Sequence, residues 1–267
     1  MGKYFGRCRL CGKEKELTFE HVPPRAVFNK NPLRRYDGVE ILDNPEDFEN
    51  RKLKSSKFNR GSGGHYLCKD CNSFLGSEYN ETYSFVASNI ACEIDKSLTP
   101  HTTGIEFLSK ELEWGRFFRQ AMSMFVDISD DCSSDDKLRE YILNPNSMDF
   151  DREKYMLLFY AVNDCRTQRK KIIGKAEIET LKIKFAEITA FTIGFLLLID
   201  ENRQIQNKTS SVDFSIIGAN ITNFCSFDCN CKYQIEFVIP LHHITDSESI
   251  VNIFENFYRM KAQDETL

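Results

Sequence analysis

The sequence predicts an α+β chain: a small N-terminal ββα unit stapled by four cysteines, followed by a larger α+β part with a mostly antiparallel sheet. Three observations carry this. Two Cys-x-x-Cys pairs, Cys8/Cys11 and Cys68/Cys71, stand far apart in the chain. Around them, Leu17 and Phe19 alternate with Thr18 and Glu20 as in a strand, while Phe74, Leu75, Tyr79, Phe85, Val86 and Ile90 recur at mostly helical intervals. Beyond residue 150, apolar runs of strand length recur between turn residues.

Taken in order, residues 3–24 read as a cysteine knuckle and a strand that Pro23-Pro24 ends. Residues 25–65 are rich in Asn, Pro, Gly, Ser and charge and read as one long loop, a kind that is usually functional. His65-Tyr66-Leu67 is a short strand into the second knuckle, and a helix runs on from Cys71 with Gly76 as its weak point. The four sulfurs suit a tetrahedral zinc ion, with Zn–S bonds of about 2.3 Å, and so small a unit needs such a staple.

A boundary falls near Ser97–Gly104, dividing the chain into residues 1–98 and 105–267. Ile105–Val126 reads as an amphipathic helix with the single Trp, Trp114. A second helix begins at Ser133, with Asp136 giving a capping-box-like start, and stops before Asn144-Pro145. Strands follow at Tyr155–Val162, Leu181–Phe185, Phe191–Ile199, Val212–Ile217 and Tyr233–Ile239, then a last helix over Ser247–Arg259.

Composition narrows the classes. With 267 residues and 41% hydrophobic content the chain can bury a full core. Its longest apolar stretch, Ile188–Ile199, is short and broken by Thr189, Thr192 and Gly194, so neither a signal peptide nor a membrane span is expected. Ten cysteines, four in knuckle spacing, fit a metal site in a reducing cytoplasm better than a secreted disulfide scaffold. The net charge of −5 is unevenly spread: residues 1–85 hold 15 Lys and Arg against 12 Asp and Glu, a net of +3. The N-terminal part is therefore the better partner for a polyanion, through Arg51, Lys52, Lys54, Lys57 and Arg60, although such a run also suits a solvated loop.

The first ninety residues also hold a reactive set. Phosphodiester cleavage needs an activated water and stabilisation of charge on the phosphate. A histidine can take the water's proton near neutral pH, and a hard divalent ion such as Mg²⁺ prefers oxygen ligands. Glu20, His21 and Asn72 supply those groups, and Asn72 follows a zinc-ligand cysteine at a helix N-terminus, where partial positive charge favours phosphate. Neighbours on a strand point to opposite faces, so Glu20 and His21 diverge unless the backbone bends near Pro23-Pro24.

In Cys8, Cys11, Glu20-His21, Cys68, Cys71 and Asn72, over residues 5–90, the sequence resembles the HNH, or His-Me finger, endonucleases, in particular their zinc-braced group with a treble-clef core. The resemblance implies a nuclease acting on DNA, with Glu20 and Asn72 as ligands of one catalytic divalent ion and His21 as general base, leaving 3′-hydroxyl and 5′-phosphate ends. Asn72 stands where many members have His. The family's central Asn would fall near Gly63 or Gly64, which leaves the residue that orients His21 open, with Asn59, His65 and Glu78 as further candidates near the metal. The second part of the chain, net negative, would then sense, oligomerise or dock a regulatory partner, and bacterial anti-phage defence is one setting for such an effector. The alternative is a non-catalytic treble-clef zinc protein that binds nucleic acid or a protein partner. A thiol oxidoreductase fits less well, because no thioredoxin-like βαβ pattern surrounds either knuckle.

Cys225, Cys229 and Cys231, with His242-His243 downstream, fit a turn as well as a second metal site. Arg166, Arg169, Lys170, Lys171 and Lys175 could line a nucleic-acid backbone or simply decorate a hairpin tip.

Overall fold

The computed structural model describes residues 2–30, 32–35, 40, 46–47, 52–97, 104–108, 112–162, 169–178, 181–201, 222–223, 232–233 and 236–242. It is a mixed α+β chain whose sheets are almost wholly antiparallel. The N-terminal sheet has the order β1-β2-β5, formed by β1 (Tyr4–Arg7), β2 (Glu14–His21) and β5 (Gly63–Cys68). The first knuckle is the turn between β1 and β2: the Gly12 N–H donates to Cys8 O (2.8 Å) and the Cys8 N–H to Lys13 O (2.9 Å). Gly12 closes it at φ 71°, a backbone conformation that favours glycine.

The long stretch between β2 and β5 contains a separate two-stranded ribbon, β3 (Leu33–Arg35) with β4 (Ser56–Phe58). Gly63 and Gly64, expected in the loop, belong to β5 and pair with His21 and Glu20. A Cβ on Gly63 would lie 2.0 Å from Glu20 O and 2.8 Å from the Phe19 ring, so only glycine permits this approach.

Helix α1 (Lys69–Glu78) starts two residues before the expected position, directly after Cys68. The expected single helix breaks at Tyr79, not at Gly76, and resumes as α2 (Asn80–Ser97). A Cβ on Gly76 would meet nothing nearer than 3.7 Å, so that position does not strain the helix. The buried Tyr79 instead sends its hydroxyl to Ile142 O (2.6 Å) in the second part of the chain.

The predicted helix over Ile105–Val126 is corrected. Residues Gly104–Leu108 form strand β6, Leu112–Glu113 form β7, and helix α3 begins only at Trp114, running to Ile128. Ile105 and Phe107 satisfy strand alternation as well as helical spacing, and pairing with β14 (Glu236–His242) settles the choice. The helix expected from Ser133 is two: α4 (Asp130–Ser133), capped by Ser129, and α5 (Asp136–Leu143), capped by the Asp135 carboxylate on the Leu138 N–H (3.1 Å).

The larger sheet has the order β6-β14-β8-β11-β10-β9, with β12 (Thr222–Asn223) also on β8. Its centre is β8 (Tyr155–Val162) and β11 (Thr192–Ile199), buried along their whole length, which is why both read as continuous apolar runs. Beside them lie β10 (Leu181–Ala190), five residues longer than expected, and β9 (Arg169–Ile178) at the edge. β13 (Lys232–Tyr233) pairs with β7. The expected Tyr233–Ile239 strand is divided between β13 and β14, and the expected Val212–Ile217 strand and Ser247–Arg259 helix lie outside the described residues.

Buried side chains on both sides of residues 98–104 form one cluster, from Cys8 and Leu75 through Tyr83 and Phe117 to Phe159 and Phe195. Tyr83 of α2 stacks on Phe117 of α3 (5.4 Å), which packs against Phe195 of β11 (5.9 Å). The Thr192 hydroxyl donates to Ala87 O on α2 (2.9 Å). No helix among the described residues is long and apolar enough to cross a membrane.

Candidate metal centre and the histidine beside it

The fold brings Cys8, Cys11, Cys68 and Cys71 together with all four sulfurs within 4.8 Å of one another. The Cys11 and Cys68 sulfurs are 3.9 Å apart, against the edge of about 3.8 Å expected for a tetrahedron with Zn–S bonds near 2.3 Å. The donor set and spacing fit a four-coordinate metal ion such as zinc. At Cys8 the surroundings favour the thiolate. A hydrogen bond from the Cys71 thiol outweighs burial and, with backbone groups of Cys11, Cys68 and Leu10, holds the Cys8 thiol down at about 4. The Cys68 N–H points at Cys8 Sγ (3.3 Å), while the shared thiol hydrogen bond and burial push Cys71 up.

The second part of the chain grips the first knuckle. The mostly buried Arg139 of α5 donates to Leu10 O (3.3 Å) and pairs with Asp136. Arg9 reaches Asp130 of α4 (2.9 Å) while its guanidinium lies over the Tyr66 ring (5.6 Å). Nothing in the sequence marks Arg139 for this role, since a cation on an amphipathic helix reads as solvent-facing.

Beside the cysteines, the β2–β5 ladder shifts register between Thr18 and Phe19, with Tyr66 of β5 the extra residue, and β2 ends at Glu20-His21. Glu20 is buried, whereas His21 is half-buried. Asn72, in the first turn of α1, donates through Nδ2 to Thr18 Oγ1 (3.1 Å) and to Phe19 O (3.4 Å). Its amide is thereby tied to the backbone immediately before Glu20, with Oδ1 as its acceptor atom.

The group that orients His21 is a main-chain carbonyl: Nε2 lies 2.8 Å from Arg60 O. A carbonyl only accepts, so Nε2 carries the proton, and in the neutral ring Nδ1 is the basic nitrogen. The segment bearing that carbonyl is held by Asn29, which the sequence did not single out. Fully buried, Asn29 donates to Pro23 O (2.5 Å) and Ser62 O (2.7 Å) and accepts from the Ser62 N–H (2.7 Å). The Val22 N–H also donates to Ser62 O (2.9 Å). Gly61, at φ 83°, sits so close that a Cβ would lie 2.3 Å from Asn29 O.

The other candidates are placed as follows. His65 stacks on Tyr4 (3.7 Å) and meets the edge of Phe19 (5.6 Å). Glu78 pairs with Arg116 (2.6 Å), joining α1 to α3. Asn59 is exposed. Lys52, Lys54, Lys57 and Arg60 are exposed in or beside the ribbon, and Arg51 lies outside the described residues. Arg169, Lys170, Lys171 and Lys175 fall on the edge strand β9, with Arg166, Cys225, Cys229, Cys231 and His243 outside the described residues and His242 at the end of β14. A cleft of about 460 Å³ opens elsewhere, lined by acidic residues including Asp135, Asp149, Asp151 and Glu153, and none of the predicted site residues lines it.

No family model, curated protein or solved structure matches the chain.

Proposed function

We propose that the chain is a metal-dependent HNH endonuclease that hydrolyses DNA phosphodiester bonds, with a treble-clef unit braced by zinc on Cys8, Cys11, Cys68 and Cys71. The observation that carries the proposal is the hydrogen bond from His21 Nε2 to Arg60 O. It fixes the tautomer in which Nδ1 can accept a proton from water, the state a general base needs. The bond also holds the ring's orientation, so the base arrives at the reaction already aimed.

Asn72 supports the reading from the other side. Its amide nitrogen is engaged by Thr18 and Phe19 O, which leaves a carbonyl oxygen of the type that hard cations select. A divalent ion held by Glu20 and Asn72 would supply charge stabilisation at the scissile phosphate and its leaving oxygen. The helix start at Lys69 adds partial positive charge beside the same residues. In this scheme the cysteines carry no chemistry; they hold the end of β5 and the start of α1 in register with β2.

The test is incubation of purified protein with supercoiled plasmid and Mg²⁺ or Mn²⁺. Wild type converts the plasmid to nicked or linear forms, and His21→Ala slows this by about 10²–10⁴-fold, the usual worth of a general base. Asn72→Ala is expected to be similarly impaired while retaining zinc. A His21→Ala protein that cuts as fast as wild type, or a wild type inert with every divalent ion, would sink the proposal.

A further inference from the structure

Of the long stretch between β2 and β5, the described part is built as a cationic ribbon. Among the described residues β3 and β4 pair only with each other, in the register Leu33↔Phe58, Arg34↔Lys57 and Arg35↔Ser56. Arg34 and Lys57 are thus directly opposite on an exposed two-stranded ladder. Like charges in that position destabilise a β-pair, and among the described residues no carboxylate pairs with Arg34, Arg35, Lys54 or Lys57. Arg34 instead donates to Ser55 Oγ (3.2 Å). The sequence runs Arg25–Arg35 and Lys52–Arg60 contain no Asp or Glu at all; the acids of this stretch stand between them, from Asp37 to Glu49. Two cations face to face, with no carboxylate paired to them among the described residues, suit an anion brought by a ligand.

The ribbon's root is the clamp beside His21. β4 ends two residues before Arg60, whose carbonyl holds the imidazole, and Asn29, four residues before β3, fastens Pro23 to Ser62. An anion on the ribbon is therefore anchored to the same backbone that sets the proposed base.

We infer that the β3–β4 ribbon grips the phosphate backbone of duplex DNA, with Arg34 and Lys57 as paired contacts and Arg35 and Lys54 flanking them. The inference rests on the nuclease reading for its substrate class. Duplex is favoured over single strands because single-strand grooves rely on exposed rings for stacking, whereas Phe58 is partly buried. A two-stranded ribbon also fits the major groove, about 12 Å wide.

The experiment measures binding without cleavage. A short fluorescein-labelled DNA duplex is titrated with the full chain by anisotropy, with no added divalent ion, over a range of salt concentrations. Arg34→Gln with Lys57→Gln should weaken binding about tenfold and lower the salt slope by about 1.8, two phosphate contacts at 0.9 each. Arg34→Lys should retain the slope. The melting midpoint of the double variant should not fall, because the substitution removes a repulsion. A double variant with wild-type affinity and slope overturns the inference, as does a wild type that ignores the duplex or prefers anionic vesicles or single-stranded RNA. A wild type that holds the duplex but never cuts keeps the ribbon's role and refutes the nuclease reading. One that cuts while the double variant binds unchanged does the reverse.

Discussion

Asn29 concentrates three hydrogen bonds on one buried amide. Replacing it with Ala strands Pro23 O and the Ser62 N–H, while Ser62 O keeps only the Val22 N–H, at a cost of about 1–3 kcal/mol in stability. Asn29→Asp keeps the volume but sets a carboxylate against two carbonyls, and we expect it to be at least as damaging. Chemical denaturation measures the loss. If Asn29 positions Arg60 O, either variant should also slow plasmid cleavage by more than its unfolded fraction explains, and Asn29→Gln should not rescue it. Here the limit of the sequence is plain. The four cysteines declared themselves by spacing, because two knuckles leave few other uses for those residues. Asn29 sits in a stretch of Asn, Pro and charge, where asparagine ordinarily marks a turn, and only the folded chain shows its amide facing two separated backbone segments. Gly63 carried the opposite ambiguity: it read as loop, and is glycine because β2 passes too close for a Cβ.

At the scale of elements, helix α5 is held by charge over its first turn. Its cap, Asp135, also receives Lys154 (2.5 Å) and the Tyr155 hydroxyl (2.9 Å). Burial alone would raise this carboxyl, but the hydrogen bonds from Lys154, the Leu138 N–H and Tyr155 prevail and hold it below its usual 3.8. A depressed carboxylate contributes stability that is complete above 3.8 and is lost as the pH falls through the lowered folded value. Asp135→Asn preserves the cap and removes the charge, so it should cost about 1–3 kcal/mol near neutrality and progressively less in acid. Urea midpoints of both proteins at a series of pH values would show the gap closing; a constant gap would mean the charge is irrelevant. One turn on from the cap, Arg139 touches the knuckle at Leu10 O. Arg139→Ala should hasten zinc loss to a chromogenic chelator about 10–100-fold, the scale of outer-shell effects at metal sites. Element types were legible where burial was complete, as in β8 and β11. They were misread at Ile105–Leu108, where four residues satisfy both periods and a strand from the far end of the chain decides.

For the whole molecule, the shared cluster of buried residues joins the four-cysteine site to the large sheet. Tyr79 to Ile142, Arg116 to Glu78 and Thr192 to Ala87 each cross between the parts. Removing the metal should therefore lower the melting temperature of the described core as one cooperative unit. Scanning calorimetry with and without chelator should give one transition that shifts, and two separated transitions would contradict it.

Helix α2 gives this a practical edge. Its buried residues Tyr83, Val86, Ala87, Ile90 and Ile94 belong to the same cluster as the rings of α3 and the large sheet. A fragment cut at Ser97 would carry that apolar stripe into solvent, and such stripes recruit other chains. Whatever the N-terminal unit does, it does as a tenant of the larger fold: it cannot be lifted out and fused elsewhere without its landlord, and a library that shuffles it as a free-standing cassette would select for aggregates.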